Sequence, residues 1–473
     1  MIERPIASRR DFLRTAACGF GSLAFSGIAS AANPLAGKPP LFTPRAKRVI
    51  FVFMQGGPSQ VDTFDPKPAL DKHDGKKLPF DVPRTRKRTD EPVFASPWEF
   101  RQHGQCGQPV SALFPHIATR ADDLCFLHGM HTEGVAHGPS TIFLHTGATN
   151  LVRPSMGAWI SYGLGTENEN LPAFVTIHPA PTKGGPRNYG TAFLPSIHQG
   201  TPLGRPGQSA KEAKFKNLKH PLLADEEQRE QFAFLQSLNR HQGRRFHDGS
   251  AMEGAIESFE LAYRLQSEAP EASEIEREPD HIKAMYGIGE KATDEFGRQC
   301  LLARRLSERG VRYIQVNYSD TGATPRWDQH SNLKKHADHA LTTDKPVAGL
   351  LADLKQRGLL EDTLVWWGGE FGRTPFSQNN DERDHNPYGF TVFLAGGGVK
   401  PGFRYGATDE FYHRAAEGKV HMHDLHATIL HLLGLDHEQL TFRHATATSD
   451  SPTSTTAWCA RSWRRAGCAI VSA

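Results

Sequence analysis

Arg48-Val49-Ile50-Phe51-Val52-Phe53-Met54 runs directly into Gln55-Gly56-Gly57-Pro58. An apolar run without alternation fits a strand buried on both faces, as in a parallel sheet covered by helices on each side. The Gly-Gly-Pro that follows ends the strand and opens a loop. Working outward, Asp123 to His128 and Leu171 to Ile177 read as further short strands, and the stretch after His137-Gly138-Pro139-Ser140 reads as a helix. Strands over 311–317, 363–367 and 390–394 then alternate with helices over Leu341 to Arg357 and Leu425 to Leu433. That rhythm predicts a three-layer α/β sandwich, its mainly parallel sheet carrying helices on both faces. Sheets of this kind bind ligands outside the carboxyl ends of their strands. The loops placed there are 55–65, 128–141, 317–330 and 368–385.

The same reading divides the chain. Residues 180–250 are rich in Gly, Pro and Lys, and Glu253 to Gln266 and Phe296 to Arg309 have helical spacing, so about 180–310 is expected to be an inserted loop and helical region in a domain spanning 40–444. Ser8-Arg9-Arg10-Asp11-Phe12-Leu13 precedes a mild apolar run and the small residues Ala29-Ser30-Ala31. Residues 1–31 therefore read as a twin-arginine signal peptide, and the chain as exported to the periplasm or beyond, without a stable membrane span. Residues 445–473, Thr/Ser-rich and then Trp/Arg-rich, have no apolar periodicity and read as an atypical tail, the product of a frameshift.

The 473 residues carry a net charge of only +3, which gives no reason to expect nucleic acid as a partner. Of six cysteines, Cys106, Cys125 and Cys300 belong to the body, an odd number that fits buried thiols better than a disulfide framework. The 24 histidines raise the expectation of a metal site without locating it.

Four groups could carry chemistry. Asp62 follows the first strand in a glycine-rich loop and is either a metal ligand or a solvated aspartate. Among His128, His131, His137 and His145, His137 is a candidate ligand or base. Ser140 is a candidate nucleophile or a helix-capping serine. Asp328 and His330 form an acid-x-His pair after a strand, whereas His336 and His339 read as a solvated helix face. Glu370 ends a tryptophan-rich strand, and Arg373 beside it offers a fork for a phosphate, sulfate or carboxylate. Asp384 and His385 follow. The chain has no Walker loop, dinucleotide fingerprint, Cys-x-x-Cys or His-Glu-x-x-His.

In this order the residues resemble the domain of unknown function 1501 (DUF1501) family, whose members are exported and related to sulfatases. The stretches that carry the resemblance are Phe53 to Ser59, His137-Gly138-Pro139-Ser140 with Gly147, Gly369 to Pro375, Asp384-His385-Asn386-Pro387, and His423 to Thr428. The resemblance implies an alkaline-phosphatase-like fold and no particular reaction. In the more distant sulfatase pattern, His137, Pro139, Ser140, Thr146 and Gly147 occupy the frame of the modified nucleophile. His137 stands at the nucleophile itself and Thr141 replaces an arginine. Glu370 takes the place of a metal-binding aspartate, Phe371 that of the histidine or asparagine after it, and Met54-Gln55 that of an aspartate pair. Formylglycine chemistry needs Cys or Ser at position 137, so a sulfatase of the usual kind is not expected. Two functions are. One is a hydrolase of anionic small-molecule or polysaccharide phosphate or sulfate esters, dependent on a divalent metal (zinc, calcium or manganese). Its metal set is drawn from Asp62, Asp328, His330, Glu370, Asp384 and His385, with His137, Ser140 and Arg373 as catalytic groups. The other is a non-catalytic binding or assembly protein on the same fold.

Overall fold

Along β1 (Arg48–Met54) the side chains separate into two cores, as a strand's period of two requires. Ile50, Val52 and Met54 join one buried cluster and Val49, Phe51 and Phe53 the other. The structure is a computed structural model. It describes residues 35–80, 91–215, 222–243, 260–261, 264–265, 270–322, 324–329, 331–378 and 381–442. The expected signal peptide, most of the helix expected over 253–266, His330 and the tail lie outside the described residues.

Apart from two small hairpins, the strands that follow are β2 (Leu124–His131), β3 (Phe174–Ile177), β4 (Thr201–Leu203), β5 (Tyr313–Tyr318), β6 (Thr363–Gly368), β7 (Gly372–Gln378), β8 (Glu382–Asn386), β9 (Phe390–Ala395), β10 (Phe403–Tyr405) and β11 (Val420–His421). Eight of them join β1 in one nine-stranded sheet in the order β10-β2-β9-β6-β1-β5-β3-β4, with β11 also on β2. Every pairing in it is parallel except those of β9, which runs antiparallel to both β2 and β6. The hairpin β7–β8 stands apart from the sheet, in the excursion between β6 and β9.

The longer helices among the described residues are α1 (His137–Thr146), α2 (Met156–Leu164), α3 (Asp225–Gly243), α4 (Asp294–Glu308), α5 (Lys335–Gln356) and α6 (Met422–Leu432). Leu301 and Leu302 of α4 and Leu350 and Leu354 of α5 cover one face of the sheet. Phe143 of α1, Trp159 of α2 and Leu430 of α6 cover the other. The three-layer α/β sandwich is therefore present. In the second core Phe51 stacks on Trp366 at 3.7 Å between ring centroids, which locks β1 to its neighbour β6. Within 180–310, β4 extends the main sheet and α4 belongs to its helical layer.

Two expectations change. α5 begins at Lys335, a turn and a half before the expected start, and His336 on it is fully buried instead of solvated, accepting the Ser59 amide proton at 3.4 Å. Polar residues in the first turns hid an end of the helix that packs inward. Cys106, Cys125 and Cys300 are free, and burial pushes the Cys125 thiol up to about 12. Among the described residues no helix is long and apolar enough to cross a membrane.

Candidate metal centre

The turn after β1 decides what can assemble around it. Gly56 has φ 109° and Gly57 φ 69°, conformations open to glycine and strained for other residues. A Cβ on Gly56 would lie 2.7 Å from the backbone nitrogens of Trp327 and Asp328, and one on Gly57 2.7 Å from the Phe371 carbonyl oxygen. The loops after β1, β5 and β6 thus touch backbone to backbone. The Gly56 N–H donates to both carboxylate oxygens of Glu370, at 3.1 Å each, and fixes that side chain at the end of β6.

His137 opens α1 and lies between two carboxylates. Its Nδ1 is 2.6 Å from Glu370 Oε1, and its Nε2 is 2.9 Å from Asp328 Oδ2. Only the first contact has the alignment of a hydrogen bond. Burial pulls the imidazole toward its neutral form, but the carboxylates of Asp328 and Glu370 outweigh it and hold the pKa above its ordinary value. His385, on β8, sits opposite Arg373 of β7 in the hairpin register. Its Nδ1–H donates to the Val135 carbonyl at 2.8 Å, and its Nε2 lies 3.2 Å from Asp328 Oδ1. Burial lowers its pKa. In the neutral ring, then, the proton is on Nδ1 and the Nε2 lone pair faces a carboxylate oxygen, an arrangement that favours a cation between them.

Donor atoms of His137, Asp328 and His385 all lie within 4.8 Å of one another, and all three residues are buried. Each comes from a different connection at the carboxyl edge of the sheet: His137 from the start of α1 after β2, Asp328 from the loop after β5, and His385 from the hairpin after β6. The two rings are held from behind, His137 by Glu370 and His385 by Val135, which is how metal-binding histidines are oriented. Phe371 packs against both rings at 4.9 and 4.5 Å and closes one side of the group.

The other expected residues are placed elsewhere or used differently. Arg373 is fully buried, and its guanidinium holds protein groups: Nε donates to the Gly57 carbonyl at 3.0 Å, Nη1 to the Arg383 carbonyl at 3.2 Å, and Nη2 to the carbonyls of Gly56 and Trp327 and to Asp328 Oδ1. It ties the loops together and offers no open fork to an anion. Asp62 pairs with both Nε and Nη2 of Arg383, at 2.8 and 3.1 Å, and accepts from Ser59 Oγ at 2.5 Å. Although burial raises the Asp62 carboxyl, Arg383 overrides it and holds the pKa below the usual range. Asp62 is thus a partner of Arg383 and stands outside the group. Asp384 accepts the His385 amide proton at 2.8 Å, a contact between neighbours where the register of β8 shifts. Ser140 is fully buried, and its Oγ has no hydrogen-bond partner, hence no base to activate it. Glu370 supports His137 from behind instead of joining the three donors.

Sequence reasoning missed Gln60 and Arg383. The Gln60 amide bonds both the N–H and the C=O of Arg373, at 2.7 Å each, as a neighbouring strand would. Nothing local distinguishes that glutamine in the sequence. Arg383 stands beside the Asp384-His385 motif, but nothing in the sequence links it to Asp62, 321 positions away.

A family model described as protein of unknown function (DUF1501) matches residues 46–450. No curated protein matches the chain. Similar solved structures include the PsFucS1 sulfatase from Pseudoalteromonas sp., at 13% identity, covering 83% of this chain and 68% of that one with TM-score 0.35. The lipoteichoic acid synthase LtaP from Listeria monocytogenes matches at 10% identity, covering 85% and 77% with TM-score 0.36. A protein in the alkaline phosphatase superfamily from Vibrio parahaemolyticus matches at 10% identity, covering 84% and 69% with TM-score 0.34.

Proposed function

The chain belongs to the DUF1501 family, and we propose that this member is an exported, metal-dependent hydrolase of phosphate or sulfate esters whose cation is held by His137, Asp328 and His385. The observation that carries the reading is the convergence of three donor atoms within 4.8 Å, brought from a helix start, a loop and a hairpin strand and held in place by Glu370 and Val135. Two imidazoles and one carboxylate suit zinc, and manganese next, better than calcium, which prefers oxygen throughout. A divalent cation held there by His137, Asp328 and His385 would supply Lewis acidity toward an ester oxygen and toward water. The protein's own part is positional. Glu370 keeps the Nδ1 proton of His137 and turns Nε2 inward. Val135 does the same for His385, and Arg373 fixes Asp328. Phe371 excludes solvent on one side. Ser140, without a base, is not assigned a covalent role, so water is the nucleophile in this reading.

A second reading rests on His137 itself. Protonated, it pairs with both Glu370 and Asp328, and Arg373 supplies the second positive charge beside Asp328, so the same cluster then serves as a buried ion-pair network in a non-catalytic binding protein. Elemental analysis of full-length protein purified without chelator separates the two. About one zinc or manganese per chain is expected, together with release of nitrophenol from p-nitrophenyl phosphate or sulfate that chelator abolishes. Metal-free protein that binds neither ion at micromolar concentration would sink the hydrolase reading. Export is tested separately: replacing Arg9 and Arg10 with lysine should leave the precursor in the cytoplasm.

A further inference from the structure

Glu295 and Arg326 bring opposite charges to one cavity without pairing with each other. The cavity measures about 350 Å³ and lies at the carboxyl ends of β3 and β5, where sheets of this kind bind ligands. Its volume falls in the range of small-molecule sites, ~300–1,000 Å³. None of His137, Asp328 and His385 lines it. His178 in its wall has φ 51°, one of four non-glycine residues in that region among the described residues, and such strain concentrates at binding sites.

Both charged groups are held in place and keep capacity to spare. Glu295, in the first turn of α4, is exposed and accepts from Ser209 Oγ and the Ala210 amide, at 3.0 and 2.5 Å, one bond on each oxygen. A carboxylate has about four acceptor positions, so about half remain. Arg326, half-buried, gives Nε to the Ser319 carbonyl at 2.8 Å and lies 4.8 Å over the Tyr318 ring, beside its hydroxyl. A guanidinium has five N–H donors, and these contacts leave most of them. Among the described residues neither side chain has an ion-pair partner. The rest of the lining is neutral. Burial drives the His178 imidazole down to about 4, with Glu295 raising it and Arg326 lowering it, so both charges reach that uncharged ring. Asn317, Ser319 and Thr342 add polar walls. A simple ion of either sign would meet one charge like its own, whereas a molecule with both charges meets each with its opposite. Across the shared wall Pro206–Ser209, a cleft of about 630 Å³ again has one base and one acid, Arg205 and Glu212.

We propose that this cavity is a second binding site, for a small zwitterion of the free amino acid class, whose carboxylate meets Arg326 and whose ammonium meets Glu295. The proposal stands independently of the hydrolase reading, because its lining excludes the metal ligands. The polar walls favour a neutral polar side chain, so the probe is L-glutamine, titrated calorimetrically into the full-length protein. N-acetyl-L-glutamine, which keeps only the acid, and L-glutamine amide, which keeps only the ammonium, are the controls. Chelator is kept in all solutions, so that a metal ion cannot capture the amino acid. Saturable glutamine binding is expected, roughly five- to ten-fold tighter than either control, since each control lacks one charge-assisted bond at a partly exposed site. Glu295→Gln should erase the advantage over the N-acetyl compound, and Arg326→Gln the advantage over the amide, with circular dichroism showing that each variant is folded. Two variants on different elements keep the test decisive if one fails to fold. Absence of glutamine binding, equal binding of the three compounds, or an unchanged preference in the folded variants would overturn the proposal.

Discussion

Glu370 and Asp62 are both fully buried carboxylates placed after central strands, and their surroundings give them opposite uses. Glu370 faces an imidazole and one backbone amide. Asp62 faces an arginine that matches it with two nitrogens. Glu370→Gln keeps the shape but weakens the hold on the His137 proton. Metal affinity should fall about 10–100-fold, the usual effect of losing such an outer partner, while Asp328→Asn should abolish binding. Equilibrium dialysis against zinc reads both, and an unchanged affinity for both variants would remove the centre. Asp62→Asn leaves the Arg383 charge buried without its counterion and should destabilise the fold by about 3–5 kcal/mol, read as a shift in the urea midpoint. Zinc stoichiometry should not change. If it dropped in the folded variant, Asp62 would be a ligand after all. None of this difference is visible in the sequence, where both residues are acids in glycine-containing loops. The partner decides, and Arg383 lies more than 300 positions from Asp62.

At the level of elements, β1 and the turn that ends it were the most readable part of the chain. An apolar strand facing two cores has no alternation, and its composition alone reveals the double burial seen for Phe51 and Val52. The carboxyl-end loops were legible for the same reason, since sheet polarity follows from the strand–helix rhythm. The antiparallel β9 and the hairpin β7–β8 were not, because both are apolar or mixed segments whose direction depends on partners and not on local pattern. That hairpin turns Arg373 inward, so the arginine read from sequence as an anion clamp became a brace for the loops. The turn itself gives the element-scale prediction. Gly56→Ala places a methyl 2.7 Å from the backbone of Trp327 and Asp328 in a conformation that disfavours alanine. A loss of roughly 1–3 kcal/mol is expected from the backbone strain, with metal affinity falling as Asp328 is displaced. Thermal unfolding and zinc titration of the same sample measure both. A variant as stable and as tight as wild type would show that the loops do not depend on this approach.

For the molecule as a whole, the sandwich was readable because its two helical layers recur along the chain. The metal centre was readable only as a pool of residues, because its members are far apart in sequence: His137, Asp328 and His385 meet through the sheet alone. The position of β1 has one more consequence, for the order in which the protein can be made. Its two hydrogen-bonded neighbours are β5 and β6, with Val49 beside Tyr313 and Arg48 beside Thr363. The central strand therefore leaves the ribosome early and then waits for both flanks. At ordinary rates of synthesis that delay is roughly 15–60 s. During it a strongly apolar segment has no native place to go and is open to aggregation or to capture by a chaperone. Ribosome-bound chains ending near residue 355 should be cleaved readily by protease within β1, whereas chains extended well beyond β9 should resist. Early resistance would mean that β1 finds shelter before its partners exist.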